Sequence, residues 1–155
     1  MSMSLRFAAL LAAACGLALA QDKPNFSGEW KMNAEKSDYG TVPKPEKMTR
    51  KIEHVEPNLR IVSTQSGPRG ETSAELKLTI DGKERVNKLG NVEVKTTIGW
   101  DGTVLCIDSK RPFQTGELVT QERWTLAGDG KTLTIRTHIA APRGATDITL
   151  VLDKQ

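Results

Sequence analysis

The chain has 155 residues, with 22 Lys and Arg against 19 Asp and Glu, and its formal net charge at pH 7 is +3. A charge balance this close to neutral, without an arginine-rich run, argues against nucleic acid or an anionic membrane surface as the partner. Of the two cysteines, Cys15 lies in the first 20 residues and only Cys106 lies beyond them. Removal of that segment would therefore exclude an intramolecular disulfide.

The first 20 residues have the pattern of a cleaved export signal. Arg6 precedes an apolar run over 7–19, and Ala18-Leu19-Ala20 matches the A-x-A cleavage site. The run is shorter than the roughly 20 apolar residues that span a bilayer. Lipidation at Cys15 is disfavoured because no leucine stands three positions before it. We therefore expect residues 21–155 to form a single exported domain, periplasmic or secreted, without stable membrane insertion.

The chain beyond the signal opens with a predicted strand over 27–33. A short helical turn is expected over 34–39, capped by Asn33, and the proline-containing segment 40–46 is expected to be an extended loop. From residue 47 onwards, apolar and polar residues alternate with the period of two that is typical of half-buried strands. Strands are predicted near 47–56, 59–66, 71–80, 83–88, 91–99, 103–110, 117–126, 131–139 and 145–152.

Strong turn signals separate these strands, and three of them are Asp-Gly pairs: Asp81-Gly82, Asp101-Gly102 and Asp129-Gly130. Asp-Gly between alternating runs indicates a tight hairpin, because glycine adopts positive φ freely and aspartate tolerates it. Successive hairpins without room for crossover helices predict an antiparallel up-and-down meander. Closure of that meander into a barrel of about 8–10 strands would remove its exposed edges. A two-sheet sandwich is the alternative fold.

The box Phe26-Ser27-Gly28-Glu29-Trp30-Lys31 resembles the first strand of the calycin superfamily, which includes lipocalins and fatty-acid-binding proteins. The box is most similar to the one found in small bacterial exported lipocalin-like proteins. The chain also shares the later Trp-Asp-Gly and Asp-Gly-Lys turns of those proteins. The resemblance implies a barrel that binds a small ligand, with Gly28 allowing close approach of strands and Trp30 closing one end. It further implies a late-strand arginine packed over Trp30, for which Arg136 is the candidate. The alternative is that Arg136 is a solvated strand residue.

Alternation assigns one face of each strand to the barrel interior. The polar or aromatic residues on these faces that we predict to bind ligand are Arg50, His54, Thr96, Glu122, Trp124 and Thr137. A mostly apolar cavity with a few convergent polar groups is the usual form of a small-ligand site, and an arginine within it could bind a carboxylate. The alternative is that strand 47–56, which is charged on both faces, leaves Arg50 and His54 solvated.

No catalytic, metal or cofactor motif stands out. The two histidines lack partners at metal-ligand spacing, and no P-loop, dinucleotide fingerprint or nucleophile elbow occurs. We therefore expect a monomeric exported protein without cofactor or enzymatic activity that binds a small hydrophobic or amphipathic molecule in the barrel lumen. The alternative is a protein-interaction or envelope-associated β domain whose interior is filled by side chains.

Overall fold

A computed structural model describes residues 22–155, which form one curled antiparallel sheet of ten strands. The predicted export signal over 1–20 and Cys15 lie outside the described residues. Within 22–155, no helix is long and apolar enough to cross a membrane. The strands are β1 Gly28–Met32, β2 Lys47–Val55, β3 Asn58–Gly67, β4 Gly70–Thr79, β5 Glu84–Leu89, β6 Val92–Asp101, β7 Val104–Phe113, β8 Gly116–Leu126, β9 Thr132–Ala141 and β10 Gly144–Lys154.

The strand order is that of a meander whose first and last strands meet. The hydrogen-bonded order runs β4-β3-β2-β1-β10-β9-β8-β7-β6-β5, with every pair antiparallel. Pairing of β1 with β10 joins the two ends of the chain, so the predicted all-β meander with a lipocalin-like curl is confirmed. The hydrogen-bonded ring has one interruption, because no backbone pairing joins β4 to β5. We call this gap the β4–β5 seam.

The seam arises at Asp81-Gly82, where the sequence predicted a hairpin and the structure has none. The backbone N–H of Ile80 donates to the carbonyl of Pro57 (2.7 Å), on the turn between β2 and β3. The N–H of Gly82 donates to the carbonyl of Ile98 (2.8 Å), on β6. Because these contacts hold the two ends of the connection against different strands, β4 and β5 diverge instead of pairing.

The connection between β1 and β2, residues 33–46, lies along the part of β10 that precedes its pairing with β1, and we call this connection the strap. Its first turn spans 34–36, where the side chain of Asn33 accepts a hydrogen bond from the N–H of Lys36 (3.1 Å), as a cap does. The structure has this single turn in place of the helical turn that was predicted over 34–39. Asp38 then pairs with Thr149 of β10 as an isolated bridge. The strap therefore lies beside β10 beyond the end of the short strand β1.

Aromatic side chains close one end of the curled sheet, where the segment before β1 crosses it. The ring of Phe26 stacks on those of His54 (5.7 Å between centroids) and Trp100 (5.9 Å), and it meets Trp124 edge-on at 5.6 Å. The indole N–H of Trp30 donates to the Phe26 carbonyl (2.9 Å). We call Phe26, Trp30, His54, Trp100 and Trp124 the aromatic floor. Aliphatic residues that pack with it in the core include Ile52, Leu59, Leu105, Leu133, Ile135 and Leu152.

Candidate functional site

The interior of the sheet contains a cavity of about 420 Å³ above the aromatic floor. Four of the six predicted ligand-binding residues line it: Arg50, Thr96, Glu122 and Trp124. Its apolar lining is Ile61, Leu76, Leu78, Val94, Ile107 and Leu118, and its hydroxyl lining is Ser63, Thr96, Ser109 and Thr120. The predicted inner faces of β6 and β8 are therefore correct, because cross-strand pairing brings Thr96 opposite Ser109 and Thr120 opposite Ser109.

Arg50 is the central polar group of this cavity. It lies on the inner face of β2, opposite Trp30 on β1 and Ser63 on β3. Its guanidinium carbon lies 5.7 Å from the ring centroid of Trp124, a cation–π distance. Its Nε is buried and has no hydrogen-bond partner, and among residues 22–155 no carboxylate oxygen lies within 4.0 Å of its nitrogens.

Glu122 and Trp124 form a second polar feature of the same wall. The indole N–H of Trp124 donates to Oε2 of Glu122 (2.8 Å), two residues earlier on β8. The bond orients the carboxylate along its own strand and satisfies the one donor of a tryptophan that is 1% exposed. Trp124 thus presents its ring face to Arg50 while its N–H is already bonded.

The charges that line the cavity are predominantly positive. The cations are Arg50, Lys77, Lys88, Lys110 and Arg111, and the carboxylates are Glu75 and Glu122. Glu75 is committed to surface ion pairs, with its Oε1 lying 2.8 Å from Nε of Arg60 and 3.5 Å from Nζ of Lys77. These pairs hold the pKa of Glu75 below its ordinary value, chiefly through the hydrogen bond from Arg60. An excess of cations around a half-apolar cavity favours an anionic amphiphile.

Tyr39 is the residue of the strap that packs against the hydrophobic core. Its hydroxyl lies 3.7 Å from Sδ of Met32 and 3.9 Å from Sδ of Met48. Burial raises the pKa of Tyr39 above its ordinary value of 10.0, and the positive charge of Arg50 acts in the opposite direction. The phenol is therefore held neutral beside the charged guanidinium.

Two of the predicted ligand residues do not line the cavity. His54 is 3% exposed and belongs to the aromatic floor, where its Nδ1 accepts a hydrogen bond from the N–H of Phe26 (3.3 Å) and its Nε2 lies 3.3 Å from Glu56. The alternation of residues correctly predicted that His54 faces inward. Phe26, in the segment before β1, packs on it and separates it from the cavity. Thr137 pairs with Glu122 across β8 and β9 and contributes to a shallow depression apart from the cavity.

The cation over Trp30 is not the one predicted. Arg136 is exposed on the outer face of β9, opposite Arg123 and Thr149. Lys154 of β10 lies over Trp30 instead, with Nζ 5.4 Å from the ring centroid. The resemblance directed attention to arginines only, whereas alternation from the buried Leu152 would have pointed to Lys154.

Gly28 has a φ of +145°, a backbone conformation that favours glycine. A Cβ built there would lie 2.8 Å from Cε of the Lys154 side chain, and no backbone atom of a neighbouring strand is among its nearest contacts. Glycine is therefore required here by the backbone conformation, and the predicted close approach of strands at Gly28 stays a prediction.

No cluster of three or more His, Cys, Asp and Glu side chains suited to a metal is found in the part of the chain that the structure describes. Cys106 has a free thiol on β7 and is half-buried. The cavity offers apolar surface, hydroxyls, the guanidinium of Arg50, the carboxylate of Glu122 and further charged groups at its margin as its means of recognition.

No protein-family model and no curated protein sequence matches the chain. Solved structures do match over most of its length. A secretory abundant heat soluble protein from Ramazzottius varieornatus aligns with a TM-score of 0.60 and 14% identity, covering 88% of this chain and 99% of that one. The zebrafish ileal bile acid-binding protein complexed with cholic acid aligns with a TM-score of 0.57 and 16% identity, covering 84% and 98%.

A fatty acid-binding protein from brain tissue of Drosophila melanogaster also matches, with a TM-score of 0.53 and 14% identity over 83% of this chain and 99% of that one. At such low identity these matches show the fold alone. The resemblance to calycins seen in the first strand is therefore confirmed at the level of the fold. None of these three proteins is named for an enzymatic activity.

Proposed function

We propose that the mature domain, after export, binds a small amphipathic carboxylate in the cavity, with the carboxylate at Arg50 and the apolar part along Ile61, Leu76 and Leu78. The observation that carries the proposal is the inward guanidinium of Arg50, which lies over Trp124 with a buried, unbonded Nε and no carboxylate within reach among the described residues. Two of the structural neighbours are named for fatty acid and bile acid binding, both carboxylates, which supports this class of ligand.

The energetic reason is that a charged group inside a protein is costly unless it is paired. Trp124 compensates part of that cost through its ring face. A ligand carboxylate would supply the remaining partner, because a guanidinium and a carboxylate form two parallel, charge-assisted hydrogen bonds. Ser63, opposite Arg50 on β3, adds a hydroxyl beside the same position.

The alternative of a β domain with a filled, non-binding core has less support. A filled interior would leave no space between the inner faces, whereas the cavity here measures about 420 Å³. That volume falls within the range of roughly 300–1,000 Å³ that is usual for small-molecule sites.

Calorimetric titration with laurate tests the proposal. Arg50→Met should weaken laurate binding about 10- to 100-fold, because it removes charge-assisted hydrogen bonds to the carboxylate. The methyl ester of laurate, which has no negative charge, should bind weakly to the natural protein and be little affected by the substitution. Arg136→Met, which removes an exposed arginine from the outer face of β9, is the matched control and should bind laurate normally.

An unchanged laurate affinity in Arg50→Met, with the control also unchanged, would contradict the proposed role of Arg50. Absence of laurate binding by the natural protein would contradict the proposed function itself. Circular dichroism of each variant establishes that the fold is retained, so that a loss of affinity can be assigned to the site.

A further inference from the structure

The cavity reaches the outside of the molecule around the edge of β4. Successive residues of a strand point to opposite faces of the sheet, so a cavity confined to the interior touches every second residue. On β4, however, four consecutive residues line it: Glu75, Leu76, Lys77 and Leu78. Consecutive residues also line it on β5, at 87–88, and on β7, at 109–111. Of these three strands, β4 and β5 border the β4–β5 seam, so the lining of the cavity continues on both sides of that gap.

The cross-strand register shows which of these residues face outward. Lys77 pairs with Arg60 and Glu75 pairs with Val62, both on the outer face of β3. Leu76 pairs with the buried Ile61 and therefore faces inward, yet it is 46% exposed. An inward leucine with half of its surface in water, flanked by outward residues that also line the cavity, marks an opening at the strand edge.

An apolar path leads from Arg50 to this opening. Ser63 lies opposite Arg50, and Ile61, the next inward residue of β3, lies opposite Leu76. The opposite wall, on β6 to β8, is mixed, with Thr96, Ser109, Thr120 and Glu122 lying among Val94, Ile107 and Leu118. A hydrocarbon chain attached to a head group at Arg50 has an unbroken apolar surface on β3 and β4, formed by Ile61, Leu76 and Leu78, that leads to the seam.

We propose that the ligand is an elongated amphiphile whose tail leaves the cavity sideways through the β4–β5 seam, across Leu76. This inference rests on the proposed function, since it concerns the tail of a ligand whose head is at Arg50. Because the seam is an unpaired gap between strands, tails longer than the cavity are accepted. The site therefore accepts long-chain ligands as well as shorter ones that the cavity encloses.

A comparison of laurate with palmitate tests this route. Each methylene moved from water into apolar surroundings raises affinity roughly fourfold. Four extra methylenes would raise affinity roughly 250-fold if fully buried. Because those of palmitate would lie against the half-exposed Leu76, we expect palmitate to bind the natural protein about tenfold tighter than laurate. A palmitate carrying pyrene on its terminal carbon should also bind, with the pyrene outside the seam.

Leu76→Lys places a charge on the path of the tail and should reduce the advantage of palmitate over laurate to within about twofold. Its effect on laurate should be small. Val55→Lys is the matched control, because Val55 is an apolar β2 residue that is 73% exposed and does not line the cavity. This variant should keep the natural preference for palmitate.

An unchanged palmitate preference in Leu76→Lys, or rejection of the pyrene-tagged ligand while palmitate binds, would overturn the proposed route and leave carboxylate binding at Arg50 intact. If neither laurate nor palmitate binds the natural protein, the proposed function fails instead. The two failures are thus separated by whether the untagged fatty acids bind.

Discussion

At the scale of single residues, burial and the charge of Arg50 act in opposite directions on the pKa of Tyr39. The phenol of Tyr39 is enclosed by the strap, with the sulfurs of Met32 and Met48 as its hydroxyl's neighbours. Burial raises its pKa, and the charge of Arg50 opposes that rise only in part. A neutral phenol leaves the guanidinium free to take a carboxylate, since a phenolate beside it would be a competing anion.

This raised pKa predicts a loss of stability at alkaline pH. The pKa of Tyr39 is higher in the folded protein than in the unfolded chain, so its contribution is fully present below pH 10 and is lost as the pH rises through the folded pKa. Tyr39→Phe should therefore show a smaller fall in the free energy of unfolding above pH 10. Urea unfolding at several pH values measures this difference.

Because Tyr39 is the single tyrosine of the sequence, phenolate absorbance during an alkaline titration reports this one group. A titration midpoint at the ordinary value in the folded protein, or an equal alkaline loss of stability in both proteins, would contradict the assignment.

At the scale of elements, the strap replaces strand pairing where β1 is too short to cover β10. Buried Ser37 accepts a hydrogen bond from the N–H of Val151 (3.0 Å) and donates to its carbonyl (3.3 Å). Asp38 exchanges backbone hydrogen bonds with Thr149 at 2.8 and 2.7 Å. The strap is thus held along β10 by hydrogen bonds, and the opening of the cavity lies at the β4–β5 seam instead.

Gly40→Ala should loosen the strap. Gly40 has a φ of +54°, and a Cβ there would lie 2.6 Å from Oγ1 of Thr146 and 2.7 Å from the backbone oxygen of Asp147. We expect a loss of about 1–3 kcal/mol in the free energy of unfolding, measured by urea denaturation. Gly128→Ala, where no atom lies within 4 Å of the added Cβ, is the control and should be nearly neutral. Equal stability of the two variants would argue against tight packing of the strap on β10.

The β4–β5 seam shows that the sequence predicts where a turn lies but not whether the strands on either side of it pair. Asp81-Gly82 and Asp101-Gly102 are alike in local chemistry, and in both pairs the glycine has positive φ while the aspartate does not. Only the second joins two paired strands. The difference comes from the carbonyls of Pro57 and Ile98, which are distant in sequence and bind the first connection. Local patterns predict a turn, whereas pairing of the flanking strands depends on such tertiary contacts.

At the scale of the whole molecule, alternation predicted the inner faces because a period of two leaves little freedom once the turns are placed. It therefore identified Arg50, Thr96, Glu122 and Trp124 as inward residues, all of which line the cavity. It could not separate the cavity from the closed end, since that depends on where Phe26 packs. His54 was for this reason predicted to bind ligand, although it belongs to the aromatic floor.

The central claim is that a carboxylate head lies deep in the cavity at Arg50, and quenching of tryptophan fluorescence tests it most directly. The sequence has three tryptophans, and all belong to the aromatic floor. Trp124 is the one whose ring lies 5.7 Å from the guanidinium carbon of Arg50.

The experiment uses fatty acids brominated either beside the carboxyl group or at the terminal carbon, each bound to saturation. The quenching of tryptophan fluorescence is then compared between the two ligands. The head-proximal bromine should quench strongly and the terminal bromine weakly. Stronger quenching by the terminal bromine, or no quenching by either bound ligand, would contradict a carboxylate held at Arg50.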